Sequence, residues 1–326
     1  MTTTPARWLR QSIAAMAGSL LMLSFSSTAL AGAPQVKTQA PGFYRMMLGD
    51  FEVTALFDGT LDLEPKKLLT NTTQEQVGKL LDRGFEKDAV PTSVNGYLIN
   101  TGSKLVLVDT GAGGLFGPTL GNLQANLKAA GYQPEQVDDV LITHMHGDHV
   151  GGLVQDGKLV FPNATIHAGQ EDADFWLNKA NLEKASAEMK GFFQGAMASL
   201  NPYVEAGKFK GMKGGTELAP GIKAVPAHGH TPGHNIYVVE SKGQKLVLWG
   251  DLMHVAAVQF DDPAVTIKFD SDSAPAAKER ALAYAAAAKG GYLVGSAHIA
   301  FPGLGHVRKA GGKSYTWVPL NYSSLK

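Results

Sequence analysis

The chain has 326 residues, of which 44% are hydrophobic and 18% are charged, the usual balance of a globular protein. Basic and acidic residues number 29 each, so no strong positive field favours binding to nucleic acid. The chain has no cysteine, which excludes disulfides and thiolate metal ligands.

The first 31 residues have the pattern of a secretory signal peptide. Two arginines are their only charged residues, residues 13–25 are apolar, and an Ala-Leu-Ala sequence ends the stretch at Ala31. This pattern predicts cleavage after Ala31. The alternative, a membrane anchor, would need an apolar run of about 20 residues. Removal leaves 27 basic against 29 acidic residues. We therefore expect a signal peptide at residues 1–31 and one exported, periplasmic or secreted domain at residues 32–326, with a net charge of −2 and no membrane segment.

Along the rest of the chain, apolar and β-branched runs alternate with segments of helical spacing. Strands are predicted at residues 51–57, 94–99, 105–108, 140–143, 164–168, 222–225, 235–240, 245–249, 291–296 and 314–318. Helices are predicted at residues 74–82, 120–130, 170–179, 188–200 and 274–289. We expect a loose arm at residues 32–42 and a turn at Asp58 and Gly59. These elements suit one α/β domain in which two sheets pack face to face with helices outside.

Potential metal ligands are concentrated directly after the predicted strand at residues 140–143. His144, His146, Asp148 and His149 fall within six residues, and two glycines follow. Residues two apart in a strand face the same way, so His144 and His146 can point at one object. Imidazole and carboxylate ligands suit zinc, manganese, cobalt or iron. Because one catalytic ion needs roughly three protein ligands, these four and others downstream predict two divalent ions. The alternative, a histidine-rich surface loop that binds metal adventitiously, leaves the strand and the glycines unexplained.

Three later segments are expected to return to the same place. His228, His230 and His234 share one short segment, and spacing alone does not choose between them. Asp251 and His298 each follow an apolar strand. The two oxygens of Asp251 could bridge two cations. As alternatives, Asp251 would be a turn residue and His298 a core histidine.

Asp109 ends a further predicted strand before a glycine turn. Ligating histidines usually donate their other ring N–H to a carboxylate or carbonyl. We therefore expect Asp109 to support a ligand in this way. Thr143 is a second candidate for such a role, with a plain strand position as its alternative.

The H-x-H-x-D-H pattern after an apolar strand, followed by Gly-Gly, resembles the metallo-β-lactamase superfamily of hydrolases. Within it, residues 40–46, 100–111 and 201–203 are most similar to the methyl parathion hydrolases. The resemblance implies an αββα four-layer sandwich and a homodimer. It selects His230 as a ligand and gives His234 a supporting role. The implied ligands are His144, His146 and His230 for one ion, and Asp148, His149 and His298 for the other, with Asp251 shared.

The same resemblance implies a substrate pocket beside the metal ions. Its members are Phe116, Trp176, Phe193, His254, Ile267 and Phe269. As alternatives, Phe116, Trp176 and Phe193 would fill the core under two helices, and His254 would be an exposed loop residue.

The implied chemistry is metal-assisted hydrolysis. Two cations would ionise a shared water near neutral pH, and the bridging hydroxide would attack a phosphorus or a carbonyl carbon. Asp148 and Asp251 are the candidate catalytic carboxylates. An aromatic pocket predicts a small neutral ester of the methyl parathion type, a phosphotriester, with lactone or aryl ester hydrolysis as a side activity. The alternative is primarily a lactonase for aryl or acyl-homoserine lactones, and a more distant one is a non-catalytic periplasmic metal-binding protein. Antibiotic hydrolysis is not expected, because zinc β-lactamases usually have a cysteine where Asp251 stands.

Overall fold

Largely apolar strands, several of them buried on both faces, build two large sheets in the computed structural model, which describes residues 33–325. The predicted signal peptide lies outside the described residues. Residues 33–39 have no regular secondary structure. The chain from Ala40 onward forms one compact unit. None of the helices described is both long and apolar enough to span a bilayer.

The described part of the chain contains two seven-stranded sheets and two small two-stranded ones. The strands are, in chain order, β1 (Phe43–Leu48), β2 (Phe51–Leu63), β3 (Leu69–Thr70), β4 (Val90–Asn100), β5 (Leu105–Val108), β6 (Asp139–Leu141), β7 (Val154–Gln155), β8 (Lys158–Leu159), β9 (Thr165–Gly169), β10 (Phe209–Met212), β11 (Glu217–Ala219), β12 (Ile222–Pro226), β13 (Asn235–Ser241), β14 (Gln244–Leu248), β15 (Thr266–Ile267), β16 (Leu293–Gly295), β17 (Leu304–Gly311) and β18 (Ser314–Pro319). The first large sheet has the order β1-β2-β4-β5-β6-β9-β10, and the second β11-β12-β13-β14-β16-β17-β18. In the first sheet β5, β6 and β9 run parallel, and in the second β14 and β16 do.

Polar side chains start several of the helices. The helices are α1 (Pro65–Leu68), α2 (Gln74–Arg83), α3 (Leu123–Ala129), α4 (Gly147–Val150), α5 (Gln170–Trp176), α6 (Lys179–Lys184), α7 (Ala187–Glu205), α8 (Ala256–Gln259) and α9 (Ser273–Gly290). Thr73, Asn178, Ser186 and Asp272 each accept a hydrogen bond from a backbone N–H in the first turn of the helix that follows, as N-capping residues do. Helix α9 ends at Gly291, whose φ of 62° is the left-handed conformation that glycine favours.

The two large sheets pack against each other through one apolar layer. Val53, Ile99 and Val108 of the first sheet meet Tyr237 and Leu248 of the second in this layer, and all five are buried. Burial of such side chains contributes about 1.5–3 kcal/mol each and fixes the sheets face to face.

The outer faces of both sheets are covered by helices. Because successive residues of a strand face opposite sides, Leu107 of β5 turns away from the other sheet and packs with Leu127 of α3 and Leu200 of α7. In the second sheet, Val294 packs with Tyr284 of α9. The layers are therefore helix, sheet, sheet, helix, and the predicted αββα sandwich is confirmed.

The predicted turn at Asp58 and Gly59 is wrong. Strand β2 continues to Leu63, with a shift in its pairing to β4 between Phe57 and Gly59. The Asp58 side chain points inward and accepts hydrogen bonds from the backbone N–H groups of Ala112, Gly121 and Leu123 at 2.9–3.0 Å. The carboxylate thus organises the loop between β5 and α3, a role that an Asp-Gly pair does not signal.

The Asp58→Asn variant tests this role. An amide keeps one acceptor oxygen, so at least one buried backbone N–H loses its partner, and we expect the free energy of unfolding to fall by about 1–3 kcal/mol. The measurement is urea denaturation of the metal-free protein. Asp62→Asn, an exposed change on the same strand, serves as the control. Equal stability of the two variants would contradict the role of Asp58.

Candidate metal centre

The candidate ligands gather where strands of both sheets end. His144, His146 and the short helix α4 follow β6, while Asp251 follows β14 and His298 follows β16. His230 lies in the loop between β12 and β13. Because β5 and β6, and likewise β14 and β16, are parallel neighbours, the loops after their carboxyl ends emerge at one edge of the sandwich.

Three histidines converge on one point at this edge. The Nε2 atom of His230 lies 3.2 Å from Nε2 of His144 and 3.1 Å from Nδ1 of His146. Oδ2 of Asp251 lies 3.5 Å from Nε2 of His144 and 3.3 Å from Nε2 of His230. These four ligand atoms lie within 4.8 Å of one another, all on buried residues, as a bound cation requires.

A second group lies on the other side of the Asp251 carboxylate. Asp148, His149 and His298 also bring ligand atoms within 4.8 Å of one another. Oδ2 of Asp148 is 3.5 Å from Nε2 of both His149 and His298. Oδ1 of Asp251 lies 3.1 Å from the same two ring atoms. Oδ2 of Asp251 therefore faces the first group and Oδ1 the second, with Nε2 of His298 close to both oxygens, 3.1 Å from Oδ1 and 3.2 Å from Oδ2.

Two buried atoms in this cluster have no hydrogen-bond partner among the described residues: Nε2 of His149 and Oδ1 of Asp251. They lie 3.1 Å apart, but they are not aligned for a hydrogen bond. Unpartnered polar atoms in a dry site are costly and rare. A cation between them would satisfy both, so the residues present fit a pair of divalent ions.

The second ring nitrogens of His144, His149 and His298 are held by surrounding groups. Asp109 accepts from Nδ1 of His149 at 2.8 Å and also from the backbone and hydroxyl of Thr143. Nδ1 of His298 donates to the Ser93 carbonyl at 2.9 Å, and Thr143 Oγ1 lies 3.1 Å from Nδ1 of His144. Asp109 and Thr143 thus occupy the positions that the sequence analysis expected of them.

His234 contacts the ligand cluster indirectly. Its Nδ1 donates to the Ala227 carbonyl, and its Nε2 accepts the backbone N–H of Asp251 at 3.1 Å. Both ring nitrogens are therefore occupied by the protein, and His234 fixes the backbone that carries Asp251.

Burial and charge set the protonation of the cluster. Burial lowers the pKa of His144 and His146 well below 6.5. Burial also acts on His230, but hydrogen bonds to carboxylates outweigh it and raise the pKa to about 9. Burial alone would raise the pKa of Asp251, yet the surrounding imidazoles, His149 first, hold it well below 3.8. Asp251 is therefore ionised and the imidazoles of His144 and His146 are neutral, which is the state that metal ligands need, whereas the carboxylates beside His230 favour its protonated form and a cation would displace that proton.

A cavity of about 120 Å³ opens over the ligands. Its lining residues are Leu61, Leu63, Phe116, His146, Asp148, Phe192, Asp251, His254, Phe269 and His298. Of the pocket residues expected from the sequence, Phe116, His254 and Phe269 line it. His254 is buried and its Nε2 lies 3.1 Å from Oδ2 of Asp251, so it is not an exposed loop residue.

The other three expected pocket residues lie in the core and do not line this cavity. Trp176, the last residue of α5, and Phe193 of α7 belong to the core on the outer face of the first sheet. Ile267 packs with residues of α2 and α8. Successive helical residues are about 100° apart, so when Phe193 faces the core its neighbour Phe192 faces the cavity, with its ring 5.0 Å from that of His146. Trp176 contacts the same imidazole edge-on from the core side at 5.3 Å.

Sequence reasoning missed four residues of this site: Leu61, Leu63 and Phe192 in the cavity wall, and Asp270 beside His230. Asp270 accepts a hydrogen bond from Nδ1 of His230 at 2.9 Å, and nothing in the local pattern around it signals this. Predicting Phe192 would have required knowing which face of helix α7 points to the cavity.

A sequence profile described as the metallo-beta-lactamase superfamily matches residues 89–298, which contain all seven candidate ligands. The chain belongs to the metallo-beta-lactamase superfamily.

Solved structures of this superfamily extend the match beyond the profile. The hydrolase AbOPH superposes with a TM-score of 0.84 at 39% identity, covering 88% of this chain and 100% of that one. AidC, described as a dizinc quorum-quenching lactonase in complex with the product N-hexanoyl-L-homoserine, has a TM-score of 0.80 at 28% identity, covering 87% and 99%. An N-acyl homoserine lactonase of Bacillus cereus is 27% identical over 148 residues, which are 45% of this chain and about half (51%) of that relative.

Two histidines of one loop provide a matched test of the metal centre in this superfamily member. His230→Ala removes a ligand, so we expect roughly half of the bound metal to be lost during dialysis against a weak chelator. His228→Ala changes a half-buried residue outside the ligand groups and should leave the metal content unchanged. Elemental analysis of both proteins is the measurement. Loss of metal in His228→Ala with retention in His230→Ala would reverse the ligand assignment.

Proposed function

We propose that the protein is a metal-dependent lactonase that opens the ring of N-acyl homoserine lactones. The observation that carries the proposal is the match to AidC over nearly the whole of both chains, together with the buried ligand set that the two-ion chemistry needs. The Bacillus lactonases support it independently. From the sequence alone, a phosphotriester was the first candidate substrate and a lactone was the alternative.

The chain's own residues divide the work of this reaction. His144, His146 and His230 would hold one ion and Asp148, His149 and His298 the other, with Asp251 shared. Two divalent cations, once bound, supply Lewis acidity and make water nucleophilic near neutral pH. The reaction adds water to the ester carbonyl and breaks the ring C–O bond, which leaves a carboxylate and a hydroxyl group.

Residues of the cavity wall would position the lactone. Phe116, Phe192 and Phe269 present apolar surface to an acyl chain and keep bulk water from the ligands. Burial lowers the pKa of His254 to about 4 despite the nearby Asp251, so its imidazole is neutral near neutral pH. A neutral imidazole beside the ligands adds no charge to the site.

A neutral phosphotriester is the second candidate substrate. The similarity of residues 40–46 and 100–111 to the methyl parathion hydrolases favours it. The cavity is also compatible, since its lining includes three phenylalanines and no lysine or arginine, which suits an uncharged aryl ester.

Three further properties complete the proposal. We infer that zinc is the resident metal, because imidazole and carboxylate ligands suit it and AidC is described as a dizinc enzyme. Export with cleavage after Ala31 stays a prediction, which the mass of the mature protein would check. The homodimer also stays a prediction, which sedimentation would check.

A direct rate comparison tests the proposed function. Metal-free protein reloaded with zinc, manganese or cobalt should have a higher kcat/KM for N-hexanoyl homoserine lactone than for an aryl phosphotriester. Turnover should disappear with chelator and return with metal. A reversed preference would favour the second candidate, and metal uptake without turnover of either substrate would favour a non-catalytic metal-binding protein.

Adjacent phenylalanines of α7 test the cavity wall. Phe192→Ala removes apolar surface from the pocket, and a loss of about 1.5 kcal/mol of contact corresponds to a roughly tenfold rise in KM. Phe193→Ala removes a core side chain and should lower the free energy of unfolding by about 3–5 kcal/mol with little change in KM. Steady-state kinetics and urea denaturation separate the two effects. The opposite assignment of the two losses would move the pocket to the other face of the helix.

A further inference from the structure

The Asp172 carboxylate, which the chemistry above does not use, connects two loops that carry metal ligands. It lies in the first turn of α5 and is fully buried. Its Oδ2 accepts hydrogen bonds from the backbone N–H of Met145 at 3.0 Å and from the hydroxyl of Thr231 at 2.9 Å. Its Oδ1 accepts the backbone N–H of Gly233 at 2.6 Å.

Two of the three partners of Asp172 are adjacent in sequence to histidines of one ligand group, and the third, Gly233, lies in the same loop as His230. Met145 lies between His144 and His146 in the sequence, and Thr231 directly follows His230. The first two ligands come from the loop after β6, whereas the third comes from the loop between β12 and β13, in the other sheet. Asp172 is therefore a link between the two sheets at the place where these ligands must meet.

Close packing leaves this link little freedom. A Cβ atom on Gly233 would lie 2.4 Å from the backbone nitrogen of Asp172, and one on Gly169 would lie 2.2 Å from the Gly233 carbonyl oxygen. The start of α5 thus lies against the backbone of the His230 loop. In so dry a place, a backbone N–H that lost its acceptor would find no water to replace it.

We propose that Asp172 is a positioning residue that sets the distance between the His144–His146 pair and His230, and thereby the affinity of the three-histidine site. Asp109 and Asp270 each orient an imidazole ring directly. Asp172 touches no ligand side chain and acts on the backbone of both loops. The proposal rests on the metal centre and not on which ester is the substrate.

The Asp172→Asn variant tests the proposal. An amide places its NH₂ group either against Met145, whose loop then loses its tie, or against Gly233, which leaves the His230 loop held only through Thr231. We expect zinc affinity at the three-histidine site to fall about 10–100-fold, as for other residues that support ligands, while the second site changes little. Excess zinc should restore kcat with KM nearly unchanged.

Chelator competition gives the two zinc affinities, and Asp174→Asn is the matched control. Asp174 is an exposed carboxylate on the same helix, so its loss changes the charge equally and should leave both affinities unchanged. The affected site is identified by repeating Asp172→Asn in a His298→Ala background, in which the three-histidine site is intact and should still weaken.

Two results would overturn the proposal: unchanged affinities in Asp172→Asn, or an equal fall at both sites that follows a loss of stability of the metal-free protein in urea. If Asp172→Asn does not fold, Thr231→Val removes one of the three hydrogen bonds at nearly constant shape. It should weaken the same site by a smaller factor, and equal affinity to the unmodified protein would reject the positioning role. Because the zinc affinities decide the proposal, a failed lactone assay would leave it standing.

Discussion

One buried carboxylate, that of Asp251, lies among five imidazole rings. Its oxygens are 3.1–3.5 Å from ring nitrogens of His144, His149, His230, His254 and His298. Crowding so many lone pairs away from water costs free energy unless positive charge offsets it. A pair of divalent cations would supply that charge, and the fold around Asp251 forms a frame that holds these candidate ligands in place.

Both sheets contribute to this frame. The H-x-H-x-D-H loop belongs to the first sheet, while Asp251 and His298 belong to the second. Their meeting therefore depends on the apolar layer between the sheets and on polar links that cross it. Asp172 is one such link, and the bond from His298 to the Ser93 carbonyl of β4 is another.

Helix α9 supports the site from behind. Its buried Arg280 donates to the backbone carbonyls of Leu252, Pro263 and Val265, and its guanidinium lies 3.9 Å from the Asp270 carboxylate. Asp270 in turn holds His230. Arg280 thus ties the loop after β14 to the helix layer. It also lies beside Asp270, the carboxylate that holds the His230 imidazole.

The sequence predicts most of the strands and the ligand-rich loop, because both depend on neighbours in the chain. The continuous apolar run of β5 and the spacing of His144, His146 and His149 are local signals. The roles of Asp58 and Asp270 depend on backbone groups and side chains distant in the sequence, so no pattern reveals them. Trp176 and Phe193 were expected in the pocket by resemblance. The phase of α7 and the packing beneath it put them in the core and turn Phe192 to the cavity.

The carboxylate of Asp251 is proposed to lie between two cations, with one oxygen facing each. Anomalous scattering at the zinc absorption edge from crystals of zinc-loaded protein tests this most directly. We expect two peaks about 3.5–4 Å apart, one among His144, His146 and His230 and one among Asp148, His149 and His298, with Asp251 between them. A single peak, or two peaks of which only one lies within bonding distance of Asp251, would contradict it.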